Sequence, residues 1–140
     1  MENTARAIIK INENYVFMKR EKKVNNEIKI FYATVGGHLE KNESFEDACI
    51  REVYEELGIK VEINSLFHEE SNINLNKYEK FYIVNYVSGD LGTGKGEEFT
   101  NIDIDKYGKY EVSFINENEL SNYNILPTTV KDKLIKEKNN

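Results

Sequence analysis

The sequence predicts an α+β (α/β) fold, a mixed β-sheet covered by helices. Three observations carry that expectation. Short β-branched and aromatic runs lie on both sides of one helical segment, residues 44–57. That segment has its own start and stop residues. A second helical pattern follows the chain's one proline. Alternation of this kind packs as sheet and helix layers around one core. At 140 residues the chain reads as one domain over 1–140, with core enough to fold without staples.

Residues 4–11 and 15–20 are apolar, β-branched runs separated by Asn12, Glu13 and Asn14, so they read as a hairpin. Residues 20–27 are charged and carry Asn25-Asn26, which predicts a solvated loop. Residues 28–35 read as one strand ending at Gly36-Gly37, with Ile28, Ile30 and Tyr32 on one side. A helix is expected from Ser44 to Leu57. Ser44 and Asp47 make a capping-box-like start, and Gly58 is a natural stop. Phe45, Ala48, Cys49, Val53 and Leu57 form its apolar face. Residues 60–69 and 77–88 read as strands, the second of them central, and 89–96 as a glycine-rich loop. A late strand covers 110–115. Residues 128–138 form a terminal helix with Val130, Leu134 and Ile135 as its buried stripe.

The charge balance narrows the function. Nineteen Lys and Arg against twenty-five Asp and Glu give a net charge of -6. Proteins that grip a nucleic-acid backbone usually present a basic surface, so a long nucleic acid is not the expected partner. Anionic small molecules stay open, because cations can stand between two negative surfaces. The single cysteine, Cys49, forms no internal disulfide, and no apolar run has the length of a signal or membrane-spanning segment. A cytoplasmic protein with no membrane partner is the expectation.

The chemistry concentrates in residues 37–59. Glu52 and Glu56 stack one helical turn apart, and Glu55 stands beside them. They border the apolar face and do not oppose it. Like charges at this spacing cost an isolated helix roughly 0.2–0.5 kcal/mol, and burial at the edge of a core adds desolvation. A Glu-rich helix is ordinarily just solvated. A cluster in this position is kept most readily when a cation neutralises it, and a hard ion such as Mg2+ prefers oxygen ligands. Arg51 can pair with Glu55 or with Glu43.

Gly37, Glu43, Arg51, Glu52, Val53, Glu55, Glu56, Gly58 and Ile59 fill every defined position of a known signature. The segment resembles the box of the Nudix hydrolases. The resemblance implies a Nudix-like α-β-α sandwich and hydrolysis of a nucleoside diphosphate linked to another moiety. In that reaction water attacks phosphorus with Mg2+ or Mn2+ as cofactor. It implies Glu52, Glu55 and Glu56 as metal ligands, joined by the backbone carbonyl of Gly36. Glu43 would support the site and Arg51 would orient the glutamates. A distal base varies in the family; Glu97 and Glu98 are the candidates here, with Glu69 and Glu70 behind them. Arg6, Arg20, Tyr32, Gly37 and Tyr82 are candidates for substrate contact. The partner implied is a small nucleotide, and a homodimer is possible. The alternative is a catalytically weak Nudix-fold nucleotide-binding or sensor module. His38 and His68 lack partners at metal-ligand spacing, and Cys49 lies on the apolar helix face, so none of the three is assigned chemistry.

Overall fold

The computed structural model describes residues 1–91 and 109–139. In chain order the elements are β1 (Glu2–Ile11), β2 (Asn14–Val24), β3 (Glu27–Ala33), β4 (Val35–His38), α1 (Phe45–Leu57), β5 (Lys60–Asn72), β6 (Lys77–Ser88), β7 (Lys109–Asn116), a 3-10 turn (Leu120–Asn122), β8 (Ile125–Leu126) and α2 (Thr128–Lys138). They divide into two compact units, each built from separate stretches of chain.

The first unit contains residues 1–9 and the described residues from 35 on to 91. Here β1 lies between β6, parallel to it from Glu2↔Lys77 to Ile9↔Val84, and β4, antiparallel to it from Thr4↔His38 to Ala7↔Val35. β5 borders β6 in antiparallel register. The sheet is therefore mixed, as expected. Thr4, Ala5, Ala7, Ile8 and Ile9 are all buried, the near-continuous pattern of a strand covered on both faces. α1 packs on β4, β5 and β6. Its ends are those expected: the Ser44 side chain accepts the Asp47 N–H at 3.0 Å, and Gly58 closes the helix at φ 77. Ala48, Cys49, Val53 and Leu57 are wholly buried. Each large apolar side chain so placed contributes about 1.5–3 kcal/mol. Phe45 is half-buried and meets the Tyr78 ring edge-on.

The second unit contains residues 10–34 and the described residues from 109 to 139. β2 lies between β3 and β7, antiparallel to both, and β8 adds to β3 in parallel at Tyr32↔Ile125 and Ala33↔Leu126. α2 packs on β8 and the 3-10 turn. Phe17, Ile115, Leu120, Ile125, Val130 and Leu134 make this core, with Ile135 half-buried.

Two expectations are corrected. Residues 20–27 are not a loop: β2 runs on to Val24 and turns directly into β3 through Asn25 and Asn26. Both take positive φ, 52° and 66°, the conformation a two-residue hairpin turn requires and asparagine tolerates. The charged side chains lie on a solvated sheet surface, where they mimic a loop composition. Residues 28–35 are not one strand. β3 ends at Ala33 and β4 starts at Val35, so Gly36 and Gly37 lie inside a strand and do not end one. Ile28 and Ile30 lie on the same side as the buried Tyr32, as expected, and are 70% and 42% exposed.

Candidate active site

The site grows out of α1 and the strand beside it, within the first unit. Arg51 organises it. Its Nε and one Nη2 proton go to the two Glu43 oxygens at 2.8 and 2.9 Å, and Nη2 also reaches the His38 carbonyl at 3.0 Å. Nη1 donates to Glu52 at 2.9 Å and to Glu55 at 3.1 Å. A guanidinium has five N–H donors, and each of them here has an acceptor. Glu40 adds a longer contact at 3.6 Å. The bonds to Glu43 come first in holding the Arg51 charge, pushing its pKa up, and they hold the Glu43 carboxyl below its ordinary range. Arg51 thus pairs with both glutamates that the sequence offered it.

Glu56 faces the other way. It is 2% exposed, and its carboxylate accepts the Gly36 N–H at 3.0 Å. Gly37 lets β4 and α1 come this close, and Gly36 lets β4 lie close to β1. A Cβ on Gly37 would stand 2.7 Å from the Glu52 carboxylate, and one on Gly36 would stand 2.2 Å from the Ala5 carbonyl oxygen.

Arg6 stands on the opposite side of β4. It donates to the Gly36 carbonyl at 3.2 Å and to Glu79 at 3.1 Å. Thr4 also donates to Glu79, at 2.8 Å, and Lys77 lies 3.7 Å from it. Burial pushes the Glu79 carboxyl up, but Arg6, Thr4 and Lys77 together hold it below its ordinary value. The sequence reading did not single out Glu79. No local signal marks it, because Thr4 and Glu79 meet only through the parallel register of β1 on β6.

Among the described residues, no group of three or more His, Cys, Asp and Glu side chains stands ready to hold a metal ion. Two of the expected ligands, Glu52 and Glu55, are tied to Arg51. The donor chemistry nevertheless suits a hard divalent cation. Three carboxylates and a strand carbonyl supply oxygen only, and the Gly37 backbone leaves for the Glu52 carboxylate a space that a Cβ would fill.

A family model for the NUDIX domain matches residues 1–126. The chain belongs to the Nudix family. Solved structures show the same fold. The ORF135 protein of E. coli is 16% identical with a TM-score of 0.69, over 99% of this chain and 91% of that one. A NUDIX hydrolase from Nitrosomonas europaea is 22% identical with a TM-score of 0.66, over 95% and 85%. An ADP-ribose pyrophosphatase from Streptococcus suis is 15% identical with a TM-score of 0.58, over 84% and 75%.

The remaining candidates are taken one by one. Tyr82 is 4% exposed, and its hydroxyl donates to Glu46 at 2.6 Å; burial first, then Glu46, raises its pKa. Glu69 accepts from the Tyr78 hydroxyl, and Glu70 bonds the His68 ring, both at 2.8 Å. Cys49 is buried, with its thiol pushed up to about 12, first by burial. Arg20 and Tyr32 belong to the second unit. There Arg20 packs between the rings of Tyr110 and Phe31, and Tyr32 meets Tyr123 edge-on. Glu97 and Glu98 lie outside the described residues. Among the described residues, no helix is long and apolar enough to cross a membrane.

Proposed function

We propose that the chain is a divalent-metal-dependent pyrophosphohydrolase. Its substrate is a small nucleotide, a nucleoside diphosphate linked to another moiety: a nucleoside triphosphate, ADP-ribose or a related compound. The observation that carries this reading is the α1 glutamate cluster, complete at Nudix spacing and tied to β4 through the Glu56–Gly36 bond. The fold shared with a pyrophosphatase of Streptococcus suis agrees with it.

Glu52, Glu55 and Glu56 would hold Mg2+ or Mn2+, with the Gly36 carbonyl as a further oxygen. When bound, the ion supplies Lewis acidity, polarising a phosphoryl oxygen and lowering the pKa of a water. The protein's own work is positioning. Arg51 sets the rotamers of Glu52 and Glu55 on a rigid helix, and Glu43 holds Arg51 in its turn. The Gly36 N–H fixes Glu56. A carbonyl oxygen has two lone pairs, so the Arg6 bond to Gly36 leaves that oxygen one further direction. Water attacks phosphorus, and the bridging oxygen leaves with the bonding pair. The two products carry the two phosphates, and one proton is released.

The test is a panel of nucleoside triphosphates, ADP-ribose, dinucleoside polyphosphates and nucleotide sugars, each with Mg2+ and with Mn2+. Release of phosphate, pyrophosphate or a nucleoside monophosphate from one class, lost on chelation, is the expected result. No release from any class with either metal overturns the reading.

A further inference from the structure

One edge in the second unit has no described strand beside it for most of its length. β8 pairs with β3 only at Tyr32 and Ala33. Among the described residues, nothing pairs with that side of β3 from Glu27 to Phe31. The direction of the free backbone groups follows from two bonds. The Tyr32 N–H goes to the Asn124 carbonyl at 2.9 Å, and the Ile30 carbonyl accepts the Asn124 side chain at 3.3 Å. Both point away from β2. Antiparallel pairing alternates inward and outward residues, so the N–H and C=O of Ile28 also point outward. The Ile28 side chain is 70% exposed and Ile30, on the same face, 42%. An outward backbone pair flanked by exposed isoleucines is a template for another strand.

Charge selects the strand. Lys29 stands directly opposite Lys22 on β2, and both are exposed. Like charges facing each other across a ladder are unfavourable. Glu27 lies two residues from Lys29 and therefore on the same face. We propose that the β3 edge pairs antiparallel with the β3 edge of a second copy of this chain, on a two-fold axis at Ile28. In that register Ile28 exchanges both backbone bonds with its own copy. Each Glu27 stands opposite the other copy's Lys29, twice over by symmetry, and each glutamate relieves a Lys22–Lys29 pair. An axis at Lys29 would bring the two lysines together. A lysine on an open edge ordinarily repels a second copy; Glu27 turns it into a register key.

A single strand-to-strand contact falls below the ~1,200 Å2 of a standard interface, so the dimer forms with rising concentration. Sedimentation equilibrium of the full chain from about 1 µM to about 1 mM, a range spanning weak contacts, reads it directly. The average mass should climb from monomer toward dimer. Ile28→Lys, Glu27→Lys and Lys29→Glu should each weaken association by at least tenfold (about 1.4 kcal/mol). The double exchange Glu27→Lys with Lys29→Glu should restore it. All three positions are exposed, and circular dichroism checks that each variant is folded. A chain that stays monomeric throughout overturns the proposal. So does an Ile28→Lys variant that dimerises like the parent, or a double exchange that restores nothing.

Discussion

The Glu56 carboxylate accepts the backbone N–H of Gly36 at 3.0 Å, joining helix α1 to strand β4 across twenty residues of chain. A carboxylate 2% exposed is costly unless its oxygens are partnered. The bond therefore does two jobs: it closes the helix onto the strand, and it keeps a charge-bearing side chain in a fixed place.

Those jobs separate by substitution. Glu56→Gln keeps an oxygen that can accept from Gly36, so its unfolding free energy in urea should stay within about 1 kcal/mol of the parent. Its hydrolytic rate should fall by roughly hundredfold or more, since an amide is a poor ligand for a hard cation. Glu56→Ala should lose the rate and also about 1–3 kcal/mol of stability, through the orphaned Gly36 N–H. Full activity in the Gln variant would remove Glu56 from the chemistry.

Arg51→Lys tests the guanidinium. An ammonium has three donors and no planar fork, so it can serve at most three of the five acceptors around it. We expect a loss of about 1–3 kcal/mol in denaturant unfolding. A roughly 10–100-fold fall in kcat/KM should accompany it, as Glu52 and Glu55 lose their holder. A variant that loses stability but no activity would show that Arg51 braces the fold alone.

Gly36 and Gly37 should respond differently to alanine, although they are neighbours. The new methyl at Gly36 would meet the Ala5 carbonyl at 2.2 Å, and backbone cannot step aside. Gly36→Ala should unfold easily, by about 1–3 kcal/mol or more. At Gly37 the obstacle is the Glu52 carboxylate, 2.7 Å away and at the end of a flexible side chain. Gly37→Ala should keep most of its thermal stability and lose most of its turnover.

The Glu79 cluster sets an acid limit. Its partners hold the carboxyl below the ordinary value in the folded chain. That stabilisation is complete above the unfolded pKa of about 4.3 and disappears as pH falls through the lower folded value. Parent and Glu79→Gln should therefore differ in unfolding free energy at pH 7. The gap should close below about pH 4. A gap that stays constant down to pH 3 would mean that the carboxylate's charge contributes nothing.

The sequence made the box legible because its chemistry is local. Arg51, Glu52, Glu55 and Glu56 lie on one helix, so spacing alone places them on adjoining faces, and Glu43, just ahead of that helix, was legible through the resemblance. The α1 ends at Ser44 and Gly58 were legible for the same reason. Glu79 was not, since its meeting with Thr4 and Arg6 depends on which strand lies beside β1. The β2–β3 turn was misread through composition. Charged side chains on a solvated ladder look like a loop, and only the left-handed conformation of Asn25 and Asn26 closes the chain into a hairpin there. The break at Thr34 left no mark in the apolar pattern, because β-branched and aromatic residues run through it unchanged.

The five bonds around Arg51 also say who can greet the substrate. A guanidinium whose protons are all spoken for cannot receive a phosphate without giving up a carboxylate or the His38 carbonyl, and each carboxylate it dismisses returns a negative charge to the approach path. The most conspicuous cation of the box is therefore a strut, turned toward its own protein. On the proposed function, recognition of an incoming polyphosphate would fall to the bound ion and to positive groups elsewhere in the chain.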